Sequence, residues 1–317
     1  MARSTAKFIS YDLRPAKQSE RGILVDILRV GGDCGLPVRD YRYVGMGANR
    51  FYDFLMLHKY VGLRKMVSLE HDPNMFKRAQ FNVPYKFIGV LETTAADFLA
   101  TDAKEDPTVY WLDYDGGIGP HIVADILSMS LRTKLGDFAF VTVFGGPPRS
   151  MDRLNDQDRL TTLKDTLPDH TGLVELEDVE RSAFPLAVHK ILLSAFKEAY
   201  APRTDGRFRL LLQVEYADSL PMVTVGGAFL SDGLAASYLS RMKSSLPFLK
   251  PGKDQLYEIR SLNLTERERA LFDRAVTSGK KRSAERNTLK SLGFKEPEIK
   301  AYEELIRYLP RYFEAII

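Results

Sequence analysis

Between Tyr41 and Phe144 five short apolar runs alternate with segments of helical character, and this alternation restricts the fold more than any other feature of the chain. The runs are YRYVG (Tyr41 to Gly45), KMVSLE (Lys65 to Glu70), KFIGVL (Lys86 to Leu91), TVYWLD (Thr108 to Asp113) and DFAFVTVF (Asp137 to Phe144). They are nearly continuous in apolar or β-prone residues, as strands covered on both faces are. Helical segments from Arg50 to Tyr60, Pro73 to Phe81, Thr94 to Leu99 and Pro120 to Leu131 separate them. Strand and helix in repetition predict a parallel sheet.

After Phe144 the alternation stops. Helices are expected from Asp156 to Leu167 and from Ala183 to Tyr200. The strands RFRLLLQVEY and MVTVGGAFL follow, and the short ADSLP between them makes them an antiparallel pair. The predicted fold class is α/β: a Rossmann-like, mostly parallel seven-stranded sheet with a terminal antiparallel hairpin. Ahead of it, after a polar opening up to about Ser19, RGILVDILRV sets Ile23, Leu24, Ile27, Leu28 and Val30 at helical spacing. GGDCGLP is expected to end that helix. Beyond Ser231 the chain is mostly helical, with Thr265 and Glu268 as a capping box and a last helix from about Glu296 to Leu309. The expected division is an N-terminal helical extension (1–40), a ligand-binding α/β domain (41–230) and a helical C-terminal region (231–317).

Composition excludes several classes. With 44% hydrophobic and 27% charged residues, the 317-residue chain can bury a core. A formal net charge of +3 implies no nucleic-acid partner by itself. The single cysteine, Cys34, rules out an internal disulfide framework and a cysteine-based zinc cluster. No apolar stretch is long enough to span a bilayer, and the opening lacks a signal-peptide core, so the expected setting is cytoplasmic with no membrane partner. No P-loop, HExxH or GxSxG is present, and the scattered His58, His71, His121, His170 and His189 form no metal pair, so no metal site is expected.

In an open parallel sheet ligands bind at the carboxyl ends of the strands. The first run ends in Gly45-Met46-Gly47, where glycines let backbone approach a ligand; the competing reading is an ordinary strand-to-helix turn. The second ends in Glu70, which can accept hydrogen bonds from ribose hydroxyls, with Asp72 the better cap for the next helix. After the third come Asp97, a candidate adenine contact, and Phe98, a candidate apolar wall. The fourth ends in Leu112-Asp113-Tyr114-Asp115-Gly116-Gly117, with two carboxylates where a reacting group meets a cofactor. Each carboxylate also has a plain structural reading, as a backbone-bonded strand end or a surface charge.

Laid out this way, residues Tyr41 to Leu230 resemble the class I S-adenosylmethionine-dependent methyltransferases. Tyr43-Val44-Gly45-Met46-Gly47 is similar to that family's first motif, Glu70 to its ribose-binding acid, and Asp97 to its adenine contact. Asp113 matches the end of the fourth strand, and the terminal hairpin matches the family's seven-stranded sheet. The LRPAKQSER opening is similar to uncharacterised bacterial methyltransferase-like proteins. The resemblance implies methyl transfer from S-adenosylmethionine, with Gly45, Gly47, Glu70, Asp97 and Phe98 at the cofactor and Asp113 and Asp115 as catalytic residues. The acceptor is unidentified, and an oxygen acceptor is slightly favoured because it most needs a base. LDYDGG differs from the NPPY-type motif of enzymes that methylate exocyclic base amines.

Two other classes compete. A non-catalytic module that binds S-adenosylmethionine or a nucleotide and acts through a partner fits the thin first motif. A nicotinamide-dependent oxidoreductase needs a third glycine where this chain has Arg50. Lys280, Lys281, Arg282, Arg286, Lys290 and Lys295 form a candidate phosphate-binding stretch for nucleic acid; the competing reading is a solvated basic loop and helix face.

Overall fold

A computed structural model describes residues 14–103, 105–278 and 283–310. Among the described residues eight strands lie in one sheet in the order β3-β2-β1-β4-β5-β7-β6-β8. They are β1 (Arg42–Gly45), β2 (Lys65–Glu70), β3 (Ile88–Glu92), β4 (Thr108–Gly117), β5 (Phe138–Phe144), β6 (Arg207–Ala217), β7 (Pro221–Leu230) and β8 (Tyr257–Ile259). β1 to β5 pair in parallel, β7 pairs antiparallel with both β5 and β6, and β8 pairs parallel with β6. Only β7 therefore runs against the rest. The expected parallel sheet and closing hairpin are both present, and the strand order reverses between β1 and β4.

The expected count of seven is corrected to eight. β8 has three residues, too few to show a period, and it takes its conformation from pairing with the edge of β6. A register shift between Asp113 and Gly117 bulges the end of β4, so that three residues stand opposite Val143 alone.

Helices cover both faces. α1 (Pro15–Asp33), α2 (Tyr52–Val61), α3 (Pro73–Asn82), α4 (Ala95–Thr101), α5 (Pro120–Arg132), α6 (Asp156–Thr166) and α7 (Phe184–Tyr200) precede the hairpin, and α8 (Asp232–Ser245) follows it. Alternate strand residues feed two apolar layers. Tyr43, Trp111, Phe138 and Phe140 join the layer of α1 and α8, while Val44, Tyr110, Leu112 and Val141 join that of α5 and α7. α9 (Glu266–Thr277), α10 (Ala284–Ser291) and α11 (Glu296–Leu305) enclose a third, small cluster around Phe272, Leu289, Ile299 and Tyr302. Thr265 and Glu268 form the expected capping box. The last helix stops at Leu305, short of the expected Leu309.

α1 departs most from expectation. It begins at Pro15, not after Ser19, because its first turn is capped from afar. Asp218, in the β6–β7 turn, accepts hydrogen bonds from the Ala16 and Lys17 amides at 2.9 and 3.0 Å. The helix also passes through Gly31 and Gly32 and ends only at Asp33, with Cys34 as its C-cap and Gly35 in the left-handed region at φ 95°.

At the opposite end of the sheet Asp137 accepts the Thr108 and Lys134 amides at 2.7 and 2.8 Å. Burial pushes its carboxyl up to about 6 despite those bonds. A carboxyl raised in the folded state favours the protonated protein, so its contribution is greatest at low pH and is lost as pH rises through the interval from about 4 to 6. Wild-type stability is expected to fall by about 2 kcal/mol relative to Asp137→Asn between pH 4.5 and 7.5. Urea denaturation of both proteins at the two pH values checks this, and a constant difference contradicts it.

Candidate active site

The sheet reverses its order at the carboxyl ends of β1 and β4, and the sequence-predicted residues gather on the loops there. After β1 the chain turns through two non-glycine residues in the left-handed region, Ala48 at φ 45° and Phe51 at φ 55°. Such positions cost on the order of 1 kcal/mol or more each and persist where surrounding structure enforces them. Gly47 donates its amide to Ser68 Oγ at 2.9 Å, tying the loop to β2. A Cβ on Gly47 would meet the Phe51 ring at 2.7 Å, and one on Gly45 would strike the Tyr43 hydroxyl. Both glycines are thus demanded by packing beneath the loop. Asn49 Oδ1 is buried in the loop with no hydrogen-bond partner.

At the end of β2, Glu70 Oε1 accepts the Asp72 amide at 3.0 Å. Asp72 caps α3 through the Asn74 and Met75 amides, as its position in the sequence suggested. At the start of α4, Thr94 caps through the Asp97 amide and donates its hydroxyl to Asp97 Oδ2 at 2.7 Å. Asp97 is exposed there, whereas Phe98 is packed into the core beside the Arg42 guanidinium.

The end of β4 carries the densest chemistry. Lys17 of α1 reaches across to Asp113, with Nζ 2.7 Å from Oδ2, and pairs with Glu20 one turn along at 2.8 Å. Its ammonium lies 4.8 Å from the centre of the Trp111 ring and 5.5 Å from that of Tyr216. Lys17 is 1% exposed and Glu20 fully buried, while Asp113 retains 18% of its side-chain surface. Burial alone would lower the Lys17 ammonium, but the carboxylates of Asp113 and Glu20 outweigh it and hold it well above the ordinary lysine range. Burial pushes the Glu20 carboxyl up, opposed by Lys17. Glu20 Oε1 accepts from the Thr224 hydroxyl, Thr224 and Thr142 share a hydrogen bond at 2.7 Å, and Trp111 Nε1 donates to Thr142 at 2.9 Å. Next to this chain Arg21 pairs with Asp53 of α2 and stacks 5.6 Å from the Tyr52 ring. Three carboxylates thus face two cations under the ends of β1 and β4.

Beyond Asp113 the bulge turns Tyr114 away, its hydroxyl donating to Asp125 at 2.6 Å, and leaves Asp115 exposed. His121 stands edge-on to Tyr114 and His71 is largely exposed, so neither joins Asp113. Among the described residues no three of His, Cys, Asp and Glu stand close enough together to hold a metal ion, and no helix is long and apolar enough to cross a membrane.

Sequence reasoning missed Lys17, Glu20, Arg21 and Asp53. The signal was present: extending the buried Leu24 and Leu28 stripe of α1 backward by helical steps reaches Glu20, Arg21 and Lys17. Polar residues on a stripe that faces the core need buried partners.

The basic-stretch expectation is corrected at Arg286. Arg286 is 5% exposed and binds Glu296 and Glu303 at 3.0 and 2.7 Å, so its guanidinium serves the three-helix cluster and is not open to phosphate. Lys290 also pairs with Glu296. Lys280, Lys281 and Arg282 lie outside the described residues.

A protein-family profile described as "Putative O-methyltransferase" matches residues 9–317. The chain belongs to this family. The methyltransferase is a class I, S-adenosylmethionine-dependent enzyme, as its motif order implied. No curated protein sequence matches it. Solved structures similar to the methyltransferase include the plantazolicin methyltransferase BamL with a triazolic desmethylPZN analog and SAH (12% identity, 65% of this chain, 71% of that one, TM-score 0.41). Others are the N-methyltransferase NodS from Bradyrhizobium japonicum WM9 (13%, 69% and 99%, TM-score 0.40) and a LepI variant with SAH and a substrate analogue (11%, 60% and 43%, TM-score 0.34). The match thus spans less than half of LepI, and likenesses this distant carry no conclusion about the acceptor.

Removing one partner of a buried ion pair leaves an uncompensated charge and typically costs about 3–5 kcal/mol. Arg21→Met is therefore expected to destabilise the methyltransferase by about 3 kcal/mol, and Arg21→Met with Asp53→Leu by much less. Denaturant titration of the single and double variants checks it; equal losses would show that the charge left behind is not the cause.

Proposed function

We propose that the methyltransferase moves the methyl group of S-adenosylmethionine to a hydroxyl oxygen of its acceptor. The observation that carries this reading is Asp113: a partly exposed carboxylate at the end of β4 whose Oδ2 is held by Lys17 while Oδ1 has no partner among the described residues. An oxygen acceptor must lose a proton as it is methylated, and a nitrogen or sulfur acceptor depends less on a fixed base. The family description agrees with an oxygen acceptor.

The residues at the strand ends suit the cofactor. Its ribose hydroxyls and ammonium are donors, and two uncommitted acceptors stand near the switch point: Glu70 Oε2, and the buried, partnerless Asn49 Oδ1. When bound, S-adenosylmethionine supplies an electrophilic methyl group on a sulfonium. In this reading Gly45 and Gly47 shape the loop against it, Glu70 holds the ribose and Asp97 reaches the adenine, while Phe98, packed into the core, supports the helix that carries Asp97. Asp113 Oδ1 accepts a hydrogen bond from the acceptor hydroxyl. It takes the proton as the oxygen lone pair forms the new C–O bond and the C–S pair returns to sulfur, and it passes the proton on to water. Asp115, exposed on the bulge, contacts the acceptor. Alignment of hydroxyl and methyl contributes much of the rate.

Calorimetric titration with S-adenosylmethionine, S-adenosylhomocysteine and NAD tests the cofactor. The first two are expected to saturate and NAD to give no heat. Glu70→Ala is expected to weaken both by about 10- to 100-fold, the loss of a charge-assisted hydrogen bond pair. Transfer of labelled methyl to a panel of phenols, catechols and sugar alcohols then tests the acceptor class. A wild-type protein that ignores S-adenosylmethionine sinks the reading.

A further inference from the structure

Lys17 lies in the LRPAKQSER opening, away from the strand-end motifs, yet its ammonium forms the ion pair that holds Asp113. It arrives from a helix that precedes the whole sheet. It is also confined: Glu20 on one side, Asp113 on the other, the Trp111 and Tyr216 rings beside it. A carboxylate at the end of a strand can rotate about its last bond and present either oxygen. With Oδ2 fixed on a buried ammonium it cannot, and Oδ1 is left facing outward.

We propose that Lys17 is a positioning residue for methyl transfer, holding Oδ2 of Asp113 so that Oδ1 stays turned toward the acceptor hydroxyl. The inference rests on the reading that Asp113 stands beside S-adenosylmethionine. The Lys17 ammonium stands between Glu20 and Asp113 and offsets part of the charge of both, so Asp113 meets the cationic donor as a compensated rather than a bare carboxylate.

Other groups face the pair, and each has its own surroundings. Glu20 accepts from Thr224, Arg21 binds Asp53, and the Tyr43 and Tyr216 hydroxyls are buried, with burial pushing both well above the ordinary tyrosine range. Removing Lys17 therefore frees two carboxylates, Asp113 and Glu20, and a test must separate them.

The ratio of S-adenosylmethionine to S-adenosylhomocysteine affinity reads the charge next to the sulfonium, because the two ligands differ by one methyl and one positive charge. In Lys17→Met, and in Lys17→Met with Glu20→Gln, the Asp113 carboxylate loses its counter-charge, and the ratio at pH 8.0 is expected to rise on the order of tenfold over the wild type. Adding Asp113→Asn should return the ratio to the wild-type value, and Lys17→Arg should keep it there. Asp113→Asn alone, which leaves Lys17 paired with Glu20, covers the case in which the Lys17→Met variants do not fold. It is expected to lower the ratio on the order of tenfold at pH 8.0 by removing one negative charge beside the sulfonium. An unchanged ratio in folded Lys17→Met variants, or in Asp113→Asn, overturns the inference while leaving methyl transfer standing. Failure of the wild type to bind S-adenosylmethionine removes both.

Discussion

The buried ammonium of Lys17 is the point on which the geometry of the site depends. It joins a helix that begins before the sheet to the strand end where the chemistry is proposed. An isolated charge in that position would be prohibitive, and it is tolerated because two carboxylates and two aromatic faces surround it. The pairing explains why α1 carries charged residues on its inner face. It also explains why Thr142 and Thr224, on neighbouring strands β5 and β7, carry hydroxyls: they link Trp111 on one side to Glu20 on the other. The polar network thus crosses four elements without relying on the loops.

Around that point the loops are held by different means. The turn after β1 has left-handed backbone at Ala48 and Phe51, fixed by the Gly47–Ser68 hydrogen bond and by aromatic packing. The turns after β2 and β3 are conventional helix starts, capped by Asp72 and Thr94. The bulge in β4 separates two neighbouring carboxylates, leaving one beside an ammonium and the other in solvent. Rigid strand ends with short, individually anchored turns are what a transfer reaction between two bound molecules requires.

Much of this was legible in the chain. Apolar runs of strand length separated by helical segments expose a parallel sheet because every central strand must be covered on both faces. The short ADSLP connection could only join antiparallel neighbours. Gly45, Glu70 and Asp113 stand at the carboxyl ends of their strands, as expected, and Asp97 lies in the helix that follows β3. What could not be read has particular causes. β8 has too few residues for a period. Asp218 caps α1 across 202 positions of sequence, so nothing local marked the helix start. Arg286 sat in a run of basic residues, and charge density gave no sign that Glu296 and Glu303 lay close in space. Lys17 fell in the polar opening, and Glu20 and Arg21 stood at the edge of the helical pattern, with nothing local to name their buried partners.

The cap on α1 has a consequence for the order in which the protein is made. Asp218 and Thr224, which fix the beginning of α1 and the inner side of Glu20, lie 202 and 204 residues downstream of Ala16 and Glu20. α1 is translated before the hairpin, and its first-turn amides and Glu20 lack these partners until the β6–β7 hairpin exists. Closing so long a loop is entropically costly and depends on the sheet having formed first. α1 is thus synthesised ahead of the hairpin that fixes it, and a chain halted before the hairpin lacks both the cap of α1 and the inner partner of Glu20.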